Sequence, residues 1–121
     1  MRLHALRGAT SVEADERDQI LAATTVLMRE LLEANALDPD DLVSCIFTLT
    51  PDLHAEFPAV AAREMGLSAV PLMCAQELDV PGAMPRVIRV LVHCYLPDGR
   101  TAQHCYHGEA RKLRLDLTGA Q

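Results

Sequence analysis

Two periods run through the apolar positions of this chain. Between Asp15 and Asn35 they are helical: Ile20, Ala23, Leu27 and Leu31 recur at helix spacing, and Met28 and Leu32 widen the stripe. Asp15 is the expected N-cap, Glu16 and Asp18 suit the positive end of the dipole, and Asn35 is expected in the left-handed C-terminal position. Elsewhere the pattern reads as strand. Leu3 to Arg7 alternates, with Gly8 expected to end it; Leu42 to Thr50 is rich in β-branched and aromatic residues; Ala69 to Cys74 is a third strand. Arg86 to Leu96 is almost continuously apolar, which predicts burial on both faces. Short helical turns are expected at Asp38–Asp41, with Pro39 in the first position, and from Phe57 to Met65, with Gly66 as the stop. Gln76 to Met84 reads as a loop. Pro97-Asp98-Gly99 is a strong turn signal, so Thr101 to His107 should fold back as a hairpin on the preceding strand, with Ala110 to Leu115 extending or following it.

These elements make a single α+β domain over residues 1–121: a mixed sheet of about five strands packed on one long helix. One helix covers only part of one sheet face. The other face is therefore expected to meet partner subunits, most simply in a closed ring. With 50% apolar residues, no Trp, two Tyr and two Phe, the core must be aliphatic. No long apolar run or charged leader is present, so a cytoplasmic protein is expected. The net charge of −6 argues against nucleic acid as a partner. The cysteines Cys45, Cys74, Cys94 and Cys105 lack CxxC spacing and read as reduced thiols. A zinc site built from His93, Cys94, His104, Cys105 and His107 is disfavoured because adjacent strand residues point to opposite faces.

Against this background a few polar residues stand out. Arg89 is flanked by Ile88 and Val90, and a guanidinium there is costly to bury without an anionic partner. That partner is either a bound anion or one of Glu64, Glu77 and Glu109. Glu77 follows an apolar strand into a Pro/Gly loop, where its carboxylate can accept a hydrogen bond from a hydroxyl or simply face water. Cys74 reads as a small apolar residue with no base placed beside it. A two-residue Asp98-Gly99 loop would bring Tyr106 to the Arg89 face, whereas a three-residue loop with a bulge would separate them. No nucleophilic triad, phosphate loop or paired-carboxylate motif occurs. The residues by themselves imply a pocket for a small anion carrying a hydroxyl.

Four blocks carry a resemblance: LRGATSVE at Leu6–Glu13, TPDLHAEFPAVAARE at Thr50–Glu64, VPLMCAQELDVPG at Val70–Gly82 and PRVIRVLV at Pro85–Val92. In this order they resemble the AroH class of chorismate mutase. The resemblance implies a homotrimeric pseudo-α/β-barrel with active sites at subunit interfaces, converting chorismate to prephenate on the route to Phe and Tyr. It implies catalytic roles for Arg89, Glu77, Arg7 and Cys74: Arg7 on a substrate carboxylate, Arg89 on the ether oxygen and a carboxylate, Glu77 and Cys74 around the ring hydroxyl. Tyr106 resembles the tyrosine that bonds a carboxylate. Phe57, Ala59 and Arg63 resemble the wall supplied by the neighbouring subunit, and Leu72, Met73, Leu113 and Arg114 are expected along the edge. Val60 stands where the resemblance implies a Lys.

A Claisen rearrangement is unimolecular and pericyclic, so no cofactor, metal or acid–base pair is called for. It gains from holding the dianion in a chair-like shape and from stabilising charge on the ether oxygen as the C–O bond breaks. Two other readings compete. A trimeric imine deaminase of the YjgF/Rid type would share the fold and an Arg-dependent pocket. A plain assembly domain would have Arg7, Arg63 and Arg89 all salt-bridged internally.

Overall fold

A computed structural model describes residues 1–116, with side chains through residue 113. Strands β1 (Arg2–Ser11), β2 (Leu42–Leu49), β3 (Leu72–Gln76), β4 (Val87–Leu96) and β5 (Cys105–Tyr106) form one mixed sheet in the order β3-β2-β4-β1-β5. Helix α1 (Arg17–Ala34) lies across one face, and α2 (Ala59–Ala62) joins it there before opening into a wider turn, Arg63–Leu67. Gly66 ends that turn at φ 94°, as its lack of a Cβ permits. The Asp38–Asp41 turn forms as expected, with Asp41 Oδ2 accepting the Asp38 N–H and the Asp38 carbonyl accepting the Asp41 N–H, each at 2.9 Å.

β4 is the spine, antiparallel to both β1 and β2. Alternation along it divides the molecule. Ile88, Val90, Val92, Cys94 and Leu96 are buried toward the helices, together with Leu6, Cys45, Phe47 and the α1 stripe of Ile20, Leu27, Met28 and Leu31. Arg89, Leu91 and His93 are half-buried on the other face, and Tyr95 is exposed. Neither α1 nor α2 packs on that second face, and Leu3 and Met73 are exposed on it at 55% and 61%.

Several sequence expectations are corrected. β1 does not end at Gly8 but runs through it to Ser11. A Cβ there would lie 2.8 Å from Leu31 Cδ1 and 2.9 Å from Val90 Cγ1, so this glycine serves close approach of helix to sheet. Asp15 does not cap α1: Glu16 holds that place, and Asp15 Oδ1 instead accepts the N–H groups of His54 and Ala55. Ala36, not Asn35, takes the positive φ, at 51°. The third strand begins at Leu72 rather than Ala69.

The largest correction concerns the chain after β4. No hairpin forms on β4; the segment crosses beyond β1, and β5 pairs with it in parallel, Gly8 opposite Cys105 and Ala9 opposite Tyr106. A turn signal fixes a reversal, not the strand that follows it. The path is set by fully buried Asn35, whose Nδ2 donates to the carbonyls of Leu31 and Gln103 and whose Oδ1 accepts the Gln103 N–H at 2.8 Å. Arg100 Nη1 adds a bond to the Asn35 carbonyl. Ala110–Leu115 is not strand either, because Gly108–Ala110 and α3 (Arg111–Asp116) are helical turns.

Truncating Asn35 would orphan the backbone groups it satisfies. Asn35→Ala is expected to cost about 1–3 kcal/mol in denaturant unfolding. A shift of less than about 0.5 kcal/mol, the level of an ordinary surface substitution, would show that this clamp does not hold the C-terminal segment.

Candidate functional site

The register of the sheet brings the predicted polar residues to its bare face. Ala9 faces Arg89 on one side and Tyr106 on the other, so Arg89 and Tyr106 share one row across β4, β1 and β5. Arg7 lies two residues along β1 on the same face. Arg7, Arg89 and Tyr106 line a cleft of about 220 Å³ together with Ile46, Thr48 and Leu91.

Glu77 enters this group from the end of β3. Its N–H is fixed to the Leu49 carbonyl at 2.8 Å, and its carboxylate accepts Arg89 Nε at 3.0 Å and Thr48 Oγ1 at 2.7 Å. Of the three candidate acidic partners of Arg89, Glu77 is therefore the one used. The contact engages only Nε. Among the described residues no acceptor reaches the two terminal nitrogens of Arg89. Arg7 and Arg63 make no salt bridge among the described residues, contrary to what a plain assembly domain requires.

The remaining candidates assemble elsewhere. Phe57, Ala59, Arg63, Leu72 and Cys74 line a second cleft, of about 250 Å³, on the helix-bearing side next to edge strand β3. Cys74 pairs with buried Phe47 whereas Glu77 binds Thr48, so within one chain Cys74 and Glu77 sit on opposite faces of the sheet. Met73 points away from both Leu72 and Cys74. Leu113 is half-buried on α3, which packs against β5, and the side chain of Arg114 lies outside the described residues.

Local contacts present each wall. The Phe57 loop is tied to the start of α1: Asp15 binds the N–H groups of His54 and Ala55, and Glu56 accepts the Phe57 N–H and Arg17 Nε. Burial pushes the Cys74 thiol above its usual range, only partly offset by the Ala59 N–H and Arg63, so it stays a protonated donor. Cys45 and Cys105 are pushed further by burial, up to about 11.

The geometry is matched by relatedness. The family profile described as chorismate mutase type I matches residues 3–117. This chain belongs to that chorismate mutase family. It is 46% identical over 119 residues to the chorismate mutase AroH of Thermus thermophilus, covering 96% of this chain and 97% of the relative. The Bacillus subtilis (strain 168) chorismate mutase AroH is 40% identical over 121 residues, covering 98% and 94%. A solved chorismate mutase from Clostridium thermocellum superposes with a TM-score of 0.87 at 44% identity, over 90% of this chain and 98% of that one. The α+β chorismate mutase fold is thus established for this chain. No described helix is long and apolar enough to cross a membrane.

Sequence reading missed two contacts, one in the Arg7–Arg89–Tyr106 cleft and one on the backbone beside it. Thr48 is one, an ordinary strand residue until the register puts it opposite Arg89. His104 is the other: its Nδ1 accepts the Arg7 N–H at 2.9 Å, satisfying an edge donor where β5 is too short to do so. Burial, and then the Arg7 charge, hold the His104 ring below its ordinary range.

That shift has a sign. Between the folded value and the unfolded one near 6.5, the unfolded chain binds the extra proton, so stability falls as pH drops through that window. His104→Asn, whose Oδ1 can accept the same N–H without titrating, should flatten this part of the curve in thermal melts from about pH 7 to 5. Superimposable wild-type and variant slopes would refute the contact's role.

Proposed function

We propose that this chain converts chorismate to prephenate by binding the dianion in its chair-like conformation between two protomers of a cytoplasmic homotrimer, each chain a single domain. The observation that carries this reading is the Arg7–Arg89–Tyr106 cleft, which joins a cation with no salt bridge among the described residues to one whose described acceptor meets its Nε alone. The second cleft supplies the complementary half. Phe57, Ala59, Arg63, Leu72 and Cys74 would come from one copy and Arg7, Glu77, Arg89 and Tyr106 from its neighbour. The bare apolar sheet face supports such an assembly, since Leu3, Met73 and Tyr95 otherwise face water.

The mechanism follows from residue chemistry. As the C–O bond breaks and the C–C bond forms, negative charge collects on the ether oxygen and positive charge on the ring. The terminal nitrogens of Arg89 are suited to the first, and the Glu77 carboxylate to the second. Arg7, Tyr106 and Arg63 would hold the two substrate carboxylates, and the Cys74 thiol would donate toward the ring hydroxyl or its neighbourhood. No proton has to be transferred and no covalent bond to the protein forms.

Guanidinium serves here because Nε can be anchored while two further donors face the guest, an arrangement a Lys ammonium cannot reproduce. Arg89→Lys should therefore lower kcat by about 10²-fold or more, the scale of one lost oxyanion donor. Chorismate loss followed by absorbance, with sedimentation to verify the assembly, measures this. Near-normal turnover by an intact trimer would remove Arg89 from the chemistry, and no turnover by the wild type at micromolar enzyme would favour the deaminase-type alternative.

A further inference from the structure

We infer that Thr48 is a positioning residue for the reaction, acting through Glu77, an inference that rests on the proposed mutase chemistry. The two oxygens of Glu77 are not equivalent. Oε2 accepts both Thr48 Oγ1 at 2.7 Å and Arg89 Nε at 3.0 Å, whereas Oε1 has only the longer 3.3 Å contact with the same Nε. Oε2 is thus occupied by two protein donors, which leaves Oε1 the less committed of the two oxygens.

Thr48 is the residue that makes this distinction. It is the cross-strand partner of Arg89, half-buried, and lines the same cleft. Glu77 follows β3 directly, so its backbone is anchored at Leu49 while its side chain is free to rotate about its own torsions. Without the threonine hydroxyl, one donor remains and the carboxylate can swing in the guanidinium plane. Arg89 would lose its fixed angle in turn, because Nε is its sole anchor among the described residues. A shift on the order of 1 Å in such a group is enough to cost catalysis heavily.

The test uses Thr48→Val, which keeps the shape and strand preference and removes the donor, beside Thr48→Ser, which keeps the donor. With chorismate as substrate, Thr48→Val is expected to lower kcat and kcat/KM together by about 10-fold or more, since the lost interaction matters in the transition state. Thr48→Ser should recover most of that loss. Combining Thr48→Val with Glu77→Gln should add little to Glu77→Gln alone, because the hydroxyl acts only through that carboxylate. A role in stability alone would instead lower the melting temperature and add to the Glu77→Gln loss.

Unchanged kinetics in Thr48→Val, a Thr48→Ser variant as impaired as Thr48→Val, or full additivity with Glu77→Gln would each overturn the assignment while leaving the mutase reading in place. An inactive wild type would instead remove the reading on which it rests.

Discussion

A guanidinium on the central strand of an apolar sheet constrains everything around it. Ile88 and Val90, its neighbours in sequence, are buried on the helix face, whereas the Arg89 side chain stands half-buried on the bare face, where a partly desolvated charge still gains from an acceptor. Glu77 meets the need from an adjacent loop, but only at Nε, so the ion pair both compensates the charge and aims it. An exposed pair of this kind would contribute little to stability. Its value here is geometric: the carboxylate fixes the plane in which the remaining donors lie.

The one-sided layering of the domain explains why that plane faces outward. α1 and α2 both pack on the face bearing Leu6, Phe47 and Val92, so neither covers the face bearing Arg7, Arg89 and Leu91. A cleft on a bare sheet has a floor but lacks a roof. The Phe57–Arg63–Cys74 cleft, on the far side of β3, has the opposite deficiency: aromatic and cationic side chains with no carboxylate and no second anchoring arginine. The two clefts offer complementary groups, and that complementarity is what supports the proposed joining of copies.

What the sequence revealed and what it concealed divide along one line. Periodicity exposed α1, β2 and β4, because each buries a continuous stripe whose spacing is local. The pairing of Arg89 with Glu77 was among three alternatives, since any nearby acid satisfies the same rule. Gly8 was misread because a glycine stopping a strand and one admitting Leu31 look the same in one dimension. The hairpin after β4 failed for a related reason: Pro97-Asp98-Gly99 does reverse the chain, but Asn35, distant in sequence, decides where it goes. Tyr106 nevertheless arrives in the Arg89 row, by parallel pairing with β1 rather than by the hairpin register that would have placed it there.

The thiols bear on which chemistry this constellation can perform. A nucleophilic route would need Cys74 as thiolate, yet its burial outweighs both the Ala59 N–H and the Arg63 charge and keeps the proton on sulfur. Cys45, Cys94 and Cys105 are raised as well, with burial the leading cause each time. His104 has its Nδ1 lone pair committed to the Arg7 N–H, which removes that nitrogen from service as a base. The cleft residues that remain offer fixed charge and hydrogen bonds but no activated nucleophile. Such a set suits a rearrangement in which the substrate supplies every bond that breaks or forms, and the protein supplies shape and field.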